Sequence, residues 1–138
     1  MTQEPFLLEK PYDGIFCVAR GRNGRICILK SEWLVALEII KEDRRESTVP
    51  NKYFGRWRNG EYLGSDAFRN EGTYKSGFGQ EYKIYAFKGR QLRMYGSEVL
   101  LGGVNTFLIT MCMKKKQNKM KTSDGAVASK RIGTILMS

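Results

Sequence analysis

Glu81-Tyr82-Lys83-Ile84-Tyr85-Ala86-Phe87-Lys88-Gly89-Arg90-Gln91-Leu92-Arg93-Met94-Tyr95-Gly96 alternates apolar and polar side chains on both sides of a glycine-containing turn. That is the pattern of an antiparallel hairpin with one face in a core. The turn length sets the faces. A two-residue loop at Lys88-Gly89 sets Ile84 against Arg93, apolar against charge. A three-residue loop at Lys88-Gly89-Arg90 pairs Ala86 with Leu92 and Ile84 with Met94. A slip of one residue moves every side chain to the other face, so the apolar grouping selects the longer loop. Tyr82, Ile84, Ala86, Leu92 and Met94 then form the core face. Lys83, Tyr85, Arg93 and Tyr95 share the outer one. A third strand, Thr106 to Cys112, completes a meander, with Phe107, Ile109 and Met111 expected inward and Thr106, Leu108, Thr110 and Cys112 outward.

Towards the N-terminus, Gly14–Ala19 and Ile26–Leu29 are rich in strand formers and flank Gly21-Arg22-Asn23-Gly24, a short-range hairpin signal. Ser31 can cap a following helix whose apolar stripe is Trp33, Ala36, Leu37 and Ile40. Glu42, Asp43, Arg44, Arg45 and Glu46 read as a solvated charge cluster at its end. Thr48 to Phe54 suggests a short second helix. Residues 55–79 are glycine-rich and read as one long loop segment. Ser123 or Asp124 caps a final helix with Ala128, Ile132 and Ile135 on one side. The expectation is a single α+β domain over residues 1–138, with helices packed on one face of a small antiparallel sheet.

The 138 residues carry 24 Lys and Arg against 14 Asp and Glu, a formal charge of +10. The first half, residues 1–69, holds 12 basic and 10 acidic side chains, and the second half holds 12 and 4. The excess is therefore local, and a polyanion such as nucleic acid is the expected partner rather than a merely solubilising surface. Histidine is absent, which removes His-based triads, most zinc sites and the commonest acid–base group. No cofactor and no metal is expected. Cys17, Cys27 and Cys112 carry no CxxC spacing and read as reduced thiols. No apolar run approaches the roughly twenty residues of a membrane span, and Met1 to Pro5 do not read as a secretory signal, so a cytoplasmic location is expected.

The order of Tyr82-Lys83-Ile84-Tyr85, Leu92-Arg93-Met94-Tyr95-Gly96, Asn105-Thr106-Phe107-Leu108, Lys114-Lys115-Lys116-Gln117-Asn118-Lys119 and the Ala126–Arg131 segment resembles the RelE/HigB branch of the RelE–ParE toxin superfamily over about residues 80–136. The resemblance implies a toxin-like, ribosome-dependent mRNA endonuclease that needs no metal. In that scheme Arg93 clamps phosphate and Lys83 helps deprotonate a 2′-hydroxyl. Tyr85 or Tyr95 stacks a base or donates a proton. Lys114, Lys115, Lys116, Lys119 and Lys121 hold RNA backbone. A small acidic antitoxin is the implied protein partner. The alternative is a non-catalytic protein of the same fold, of phage or mobile-element origin, that binds nucleic acid or a host protein. On that alternative, Tyr85 and Tyr95 are simply a cross-strand aromatic pair.

Overall fold

The computed structural model describes residues 5–115 and 121–137. Seven strands form one sheet: β1 (Phe6–Leu7), β2 (Ile15–Gly21), β3 (Gly24–Leu29), β4 (Phe68–Lys75), β5 (Glu81–Lys88), β6 (Leu92–Leu101) and β7 (Val104–Lys114). Their spatial order is β1-β2-β3-β7-β6-β5-β4. All neighbours are antiparallel except β3 and β7, which run parallel with Ile26 beside Phe107 and Ile28 beside Ile109. That one parallel pair needs a long crossover. It is supplied by α1 (Lys30–Glu42), the short helical turns over Arg44–Ser47 and Val49–Tyr53, α2 (Phe54–Arg58) and the meander β4–β6. The chain ends in α3 (Thr122–Met137). No helix among the described residues is long and apolar enough to cross a membrane.

Both faces of the sheet are covered. On one, α1 and α2 cover Ile26, Ile28, Phe87, Leu92, Met94, Phe107, Ile109 and Cys112 through Ala36, Ile39, Phe54 and Trp57. On the other, α3 lays Ala128 and Ile132 over Cys27, Ile84, Ala86, Tyr95 and Leu108. Phe54, Phe68, Phe87 and Phe107 meet in edge-on and tilted contacts 4.8–5.4 Å apart, the arrangement that ring quadrupoles favour.

The expected small antiparallel sheet with helices on one face is therefore overturned. The sheet is mixed and seven-stranded, and helices lie on both faces. Three local expectations change with it. First, residues 55–79 are not one loop. They hold α2, the eight-residue edge strand β4 and the turn into β5. β4 escapes an alternation reading because its outward edge leaves most of its side chains exposed. Second, the β5–β6 register is longer than the three-residue loop allows: Ala86 faces Tyr95, Phe87 faces Met94 and Lys88 faces Arg93. Third, β7 carries an irregularity at Thr110, where Tyr95 pairs Met111 but Gly96 pairs Ile109. Cys112 thereby joins Phe107 and Ile109 on the α1 side, while Met111 turns to the α3 side. The N-terminal hairpin forms as expected, with Gly21 opposite Gly24. Helix α1 starts at Lys30 without a side-chain cap; Ser31 Oγ instead donates to Glu32 Oε2 at 3.1 Å.

Candidate nucleic-acid interface

The register decides which basic residues meet. Because Lys88 lies opposite Arg93 and Ala86 opposite Tyr95, alternation places Lys88, Arg93 and Tyr95 on the α3 face. Arg69, opposite Ala86 on the edge strand, shares that face. Three cations thus gather at one end of the sheet, where β5 stops and β4 and β6 begin. None of the three forms an ion pair among the described residues. Like charges directly opposite each other in a ladder are unfavourable. The ammonium of Lys88 is held below its ordinary range by burial, then by Arg93 and Arg69, with Glu71 and Asp66 opposing them.

Arg93 is fixed rather than loose. It is largely buried, and its Nη1 donates to the carbonyls of Gly89 at 2.6 Å and Leu92 at 3.0 Å. The turn that carries it is pinned from across the molecule by Glu46. Its Oε1 accepts the backbone N–H groups of Gln91 at 3.0 Å and Leu92 at 2.9 Å. Glu46 is fully buried, so its expected place in a solvated cluster is corrected: it joins the helical turn after α1 to the β5–β6 turn. Tyr95, two residues along β6 on the same face, is buried in the cluster under α3. Burial is the main reason its hydroxyl is pushed up to about 12, with Glu71, Asp124 and Tyr74 adding to it and Arg93 opposing it. Those neighbours set Tyr95 beside the start of α3, whose first turn closes with Asp124 and Gly125 N–H on the Lys121 carbonyl.

The four residues expected on one outer face are split. Arg93 and Tyr95 lie on the α3 side. Tyr85 lies on the α1 side, where it is stacked on Phe68 at 4.9 Å with rings 9° from parallel. Lys83 is exposed and shares Tyr85's parity on β5, away from Arg93. The cause is the longer turn, which shifts β6 by an odd number of residues against the expected pairing and so exchanges its faces. Of the lysine run, Lys114 is exposed and paired with Glu42 at 2.6 Å, and the N–H of Lys115 donates to the Gln91 carbonyl. Both therefore stand at the same sheet end as Arg93. Lys121 is exposed at the start of α3. Lys116 and Lys119 lie outside the described residues. Two members of the cluster, Lys88 and Arg69, were missed by reading the sequence. Lys88 looked like a turn residue, and Arg69 stood inside the glycine-rich segment. No family model, no curated protein and no solved structure matches the chain.

Proposed function

We propose that the chain binds nucleic acid through this basic sheet end. One observation carries the reading: half-buried Lys88 and buried Arg93 face each other with exposed Arg69 on the same sheet face, none of the three forms an ion pair among the described residues, and Glu71 and Asp66 only partly offset the charge at Lys88. A cluster that costs stability when empty is relieved when phosphate oxygens arrive. The buried guanidinium of Arg93, preset by two carbonyls, offers its remaining donors as a planar fork. Lys115 and Lys121 extend the positive charge beyond it, while Lys114 lies on the α1 face, paired with Glu42. The test is binding of a fluorescent single-stranded RNA to the wild type and to an Arg69→Ala/Lys88→Gln/Arg93→Ala variant at low salt. Loss of binding by more than tenfold with an unchanged circular dichroism spectrum is expected. Equal binding by both proteins overturns the site.

A second reading, metal-independent mRNA cleavage on the ribosome, is favoured by one feature of the same cluster. Lys88, with its amine lowered by burial and by Arg93 and Arg69, is shifted in the direction that a base taking a proton from a 2′-hydroxyl requires. It takes the role assigned to Lys83 from the sequence. Ribosome-bound mRNA incubated with wild type and Lys88→Gln separates the readings. Cleavage lost in the variant supports catalysis, and intact RNA with both leaves binding alone.

A further inference from the structure

We propose that Cys17 and Cys27 form a redox site, a cross-strand dithiol that a peroxide closes into an intramolecular disulfide. This is independent of the nucleic-acid reading. The two residues lie directly opposite each other in the β2–β3 ladder. Both side chains belong to the apolar cluster under α3, so they share one sheet face. Opposed residues on one face of an antiparallel pair hold their β-carbons about 4.5–5.5 Å apart. A disulfide needs about 3.5–4.5 Å. The register shift between Cys17 and Ala19 raises local twist and gives the backbone room to close that gap.

The pair is also chemically asymmetric. The two thiols interact, and the interaction lowers Cys17 while raising Cys27. Arg25 and Arg20 lower Cys17 further, against its burial. In its protonated form the Cys17 thiol donates to the Ala19 carbonyl at 3.6 Å. Cys17 is thus the attacking thiolate and Cys27 the resolving thiol. Cys112 cannot substitute for either. It sits in the cluster on the opposite face, and burial, with Glu32, pushes its thiol up. At 2% and 0% exposure, Cys17 and Cys27 exclude a bulky disulfide reagent and select a small oxidant. At the sheet edge the two-residue β1 caps β2, with Phe6 directly opposite Cys17, so the oxidant enters as this short end strand opens.

The reaction balances with hydrogen peroxide as the oxidant. The Cys17 thiolate attacks one peroxide oxygen, the O–O bond breaks, and hydroxide leaves and is protonated to water. Cys17 is then a sulfenic acid. The Cys27 sulfur attacks the Cys17 sulfur, the S–O bond breaks, a second water leaves and the S–S bond forms. Two thiols lose two electrons and two protons, and the peroxide becomes two waters.

To test this, the full folded chain is incubated with hydrogen peroxide, then denatured, alkylated and analysed by mass spectrometry with peptide mapping. The expected product has lost two hydrogens, carries a Cys17–Cys27 bridge and keeps one alkylatable thiol, Cys112. Dithiothreitol restores three. Cys112→Ser still forms the bridge, and Cys17→Ser and Cys27→Ser form no intramolecular bridge. Wild-type protein that keeps three alkylatable thiols, bridges through Cys112, or is oxidised further without a bridge overturns the proposal. The wild-type mapping decides the matter even if a serine variant is poorly folded.

Discussion

A β-carbon on Gly89 would press directly on the Oε1 of Glu46 and lie 3.2 Å from a methyl of Val49. The same oxygen holds the N–H groups of Gln91 and Leu92. Gly89→Ala should therefore destabilise by about 1–3 kcal/mol and disorder the turn that presents Arg93, which urea denaturation and RNA binding would both register. Lys88 behaves in the opposite sense. Its folded-state pKa lies below the ordinary 10.5, so its charge opposes folding fully at low and neutral pH. That opposition fades as the pH rises through the lowered value towards 10.5, because the folded state gives up its proton first. Lys88→Gln should accordingly raise stability at pH 7 by roughly 0.2–1 kcal/mol, the scale of a cross-strand like-charge pair, while weakening RNA binding. The gain should shrink as the pH approaches 10.5. Thermal melts across pH check this, and a less stable variant at pH 7 would refute the electrostatic account of the cluster.

The β6–β7 pair is the longest ladder in the sheet, running from Leu92 opposite Lys114 to Leu101 opposite Val104. Its irregularity depends on Gly96. A β-carbon there would collide with the Leu108 carbonyl oxygen and lie 2.9 Å from the Ile109 α-carbon, so backbone would have to move. Gly96→Ala should cost about 3 kcal/mol, the upper end of ordinary overpacking. Gly55, in α2, has nothing within 4 Å of the same position. Gly55→Ala should be neutral or stabilising by up to about 1 kcal/mol from helix propensity. Denaturation midpoints with unchanged slopes would confirm both, and a tolerated Gly96→Ala would mean that the irregularity can relax. The crossover between β3 and β7 is held by a different contact. Past Ile109, β7 has no β3 partner, and Glu32 Oε1 on α1 accepts the free N–H of Cys112 at 2.9 Å. Arg131, reaching from α3, donates to the Thr110 carbonyl at 2.9 Å and lies 3.5 Å from Glu32. The helices on opposite faces are tied together where the parallel pair opens.

Across the whole molecule the charge of +10 attracts any polyanion, so affinity alone does not locate a site. Salt dependence does. Each lysine or arginine that neutralises a phosphate releases counterions, and the slope of log K against log salt falls by about one for each such contact removed. Lys88→Gln/Arg93→Ala should flatten the slope by about two. Changing Lys10, beside Arg25 and Gly102, and Arg22, in the β2–β3 turn, both at the opposite end of the sheet, should leave it within error. Equal flattening by both pairs would point to diffuse attraction.

The sequence by itself determined the local pieces. Gly21 to Gly24 fixed the first hairpin because Asn-Gly between two apolar runs suits a tight turn. The spacing of Ala128, Ile132 and Ile135 placed α3, and the imbalance of charge located the basic half. Arg93 and Tyr95 were legible as neighbours for the same reason, since they lie two apart on one strand. Only the tertiary structure decided what faces what. The N–H groups of Gln91 and Leu92 are satisfied by Glu46, 45 and 46 residues away, and that contact sets the longer turn. The turn exchanges the faces of β6, sends Lys83 and Tyr85 away from Arg93 and brings in Lys88. Alternation along one strand is local, but register between strands follows from the packing of both sheet faces, which no single segment encodes.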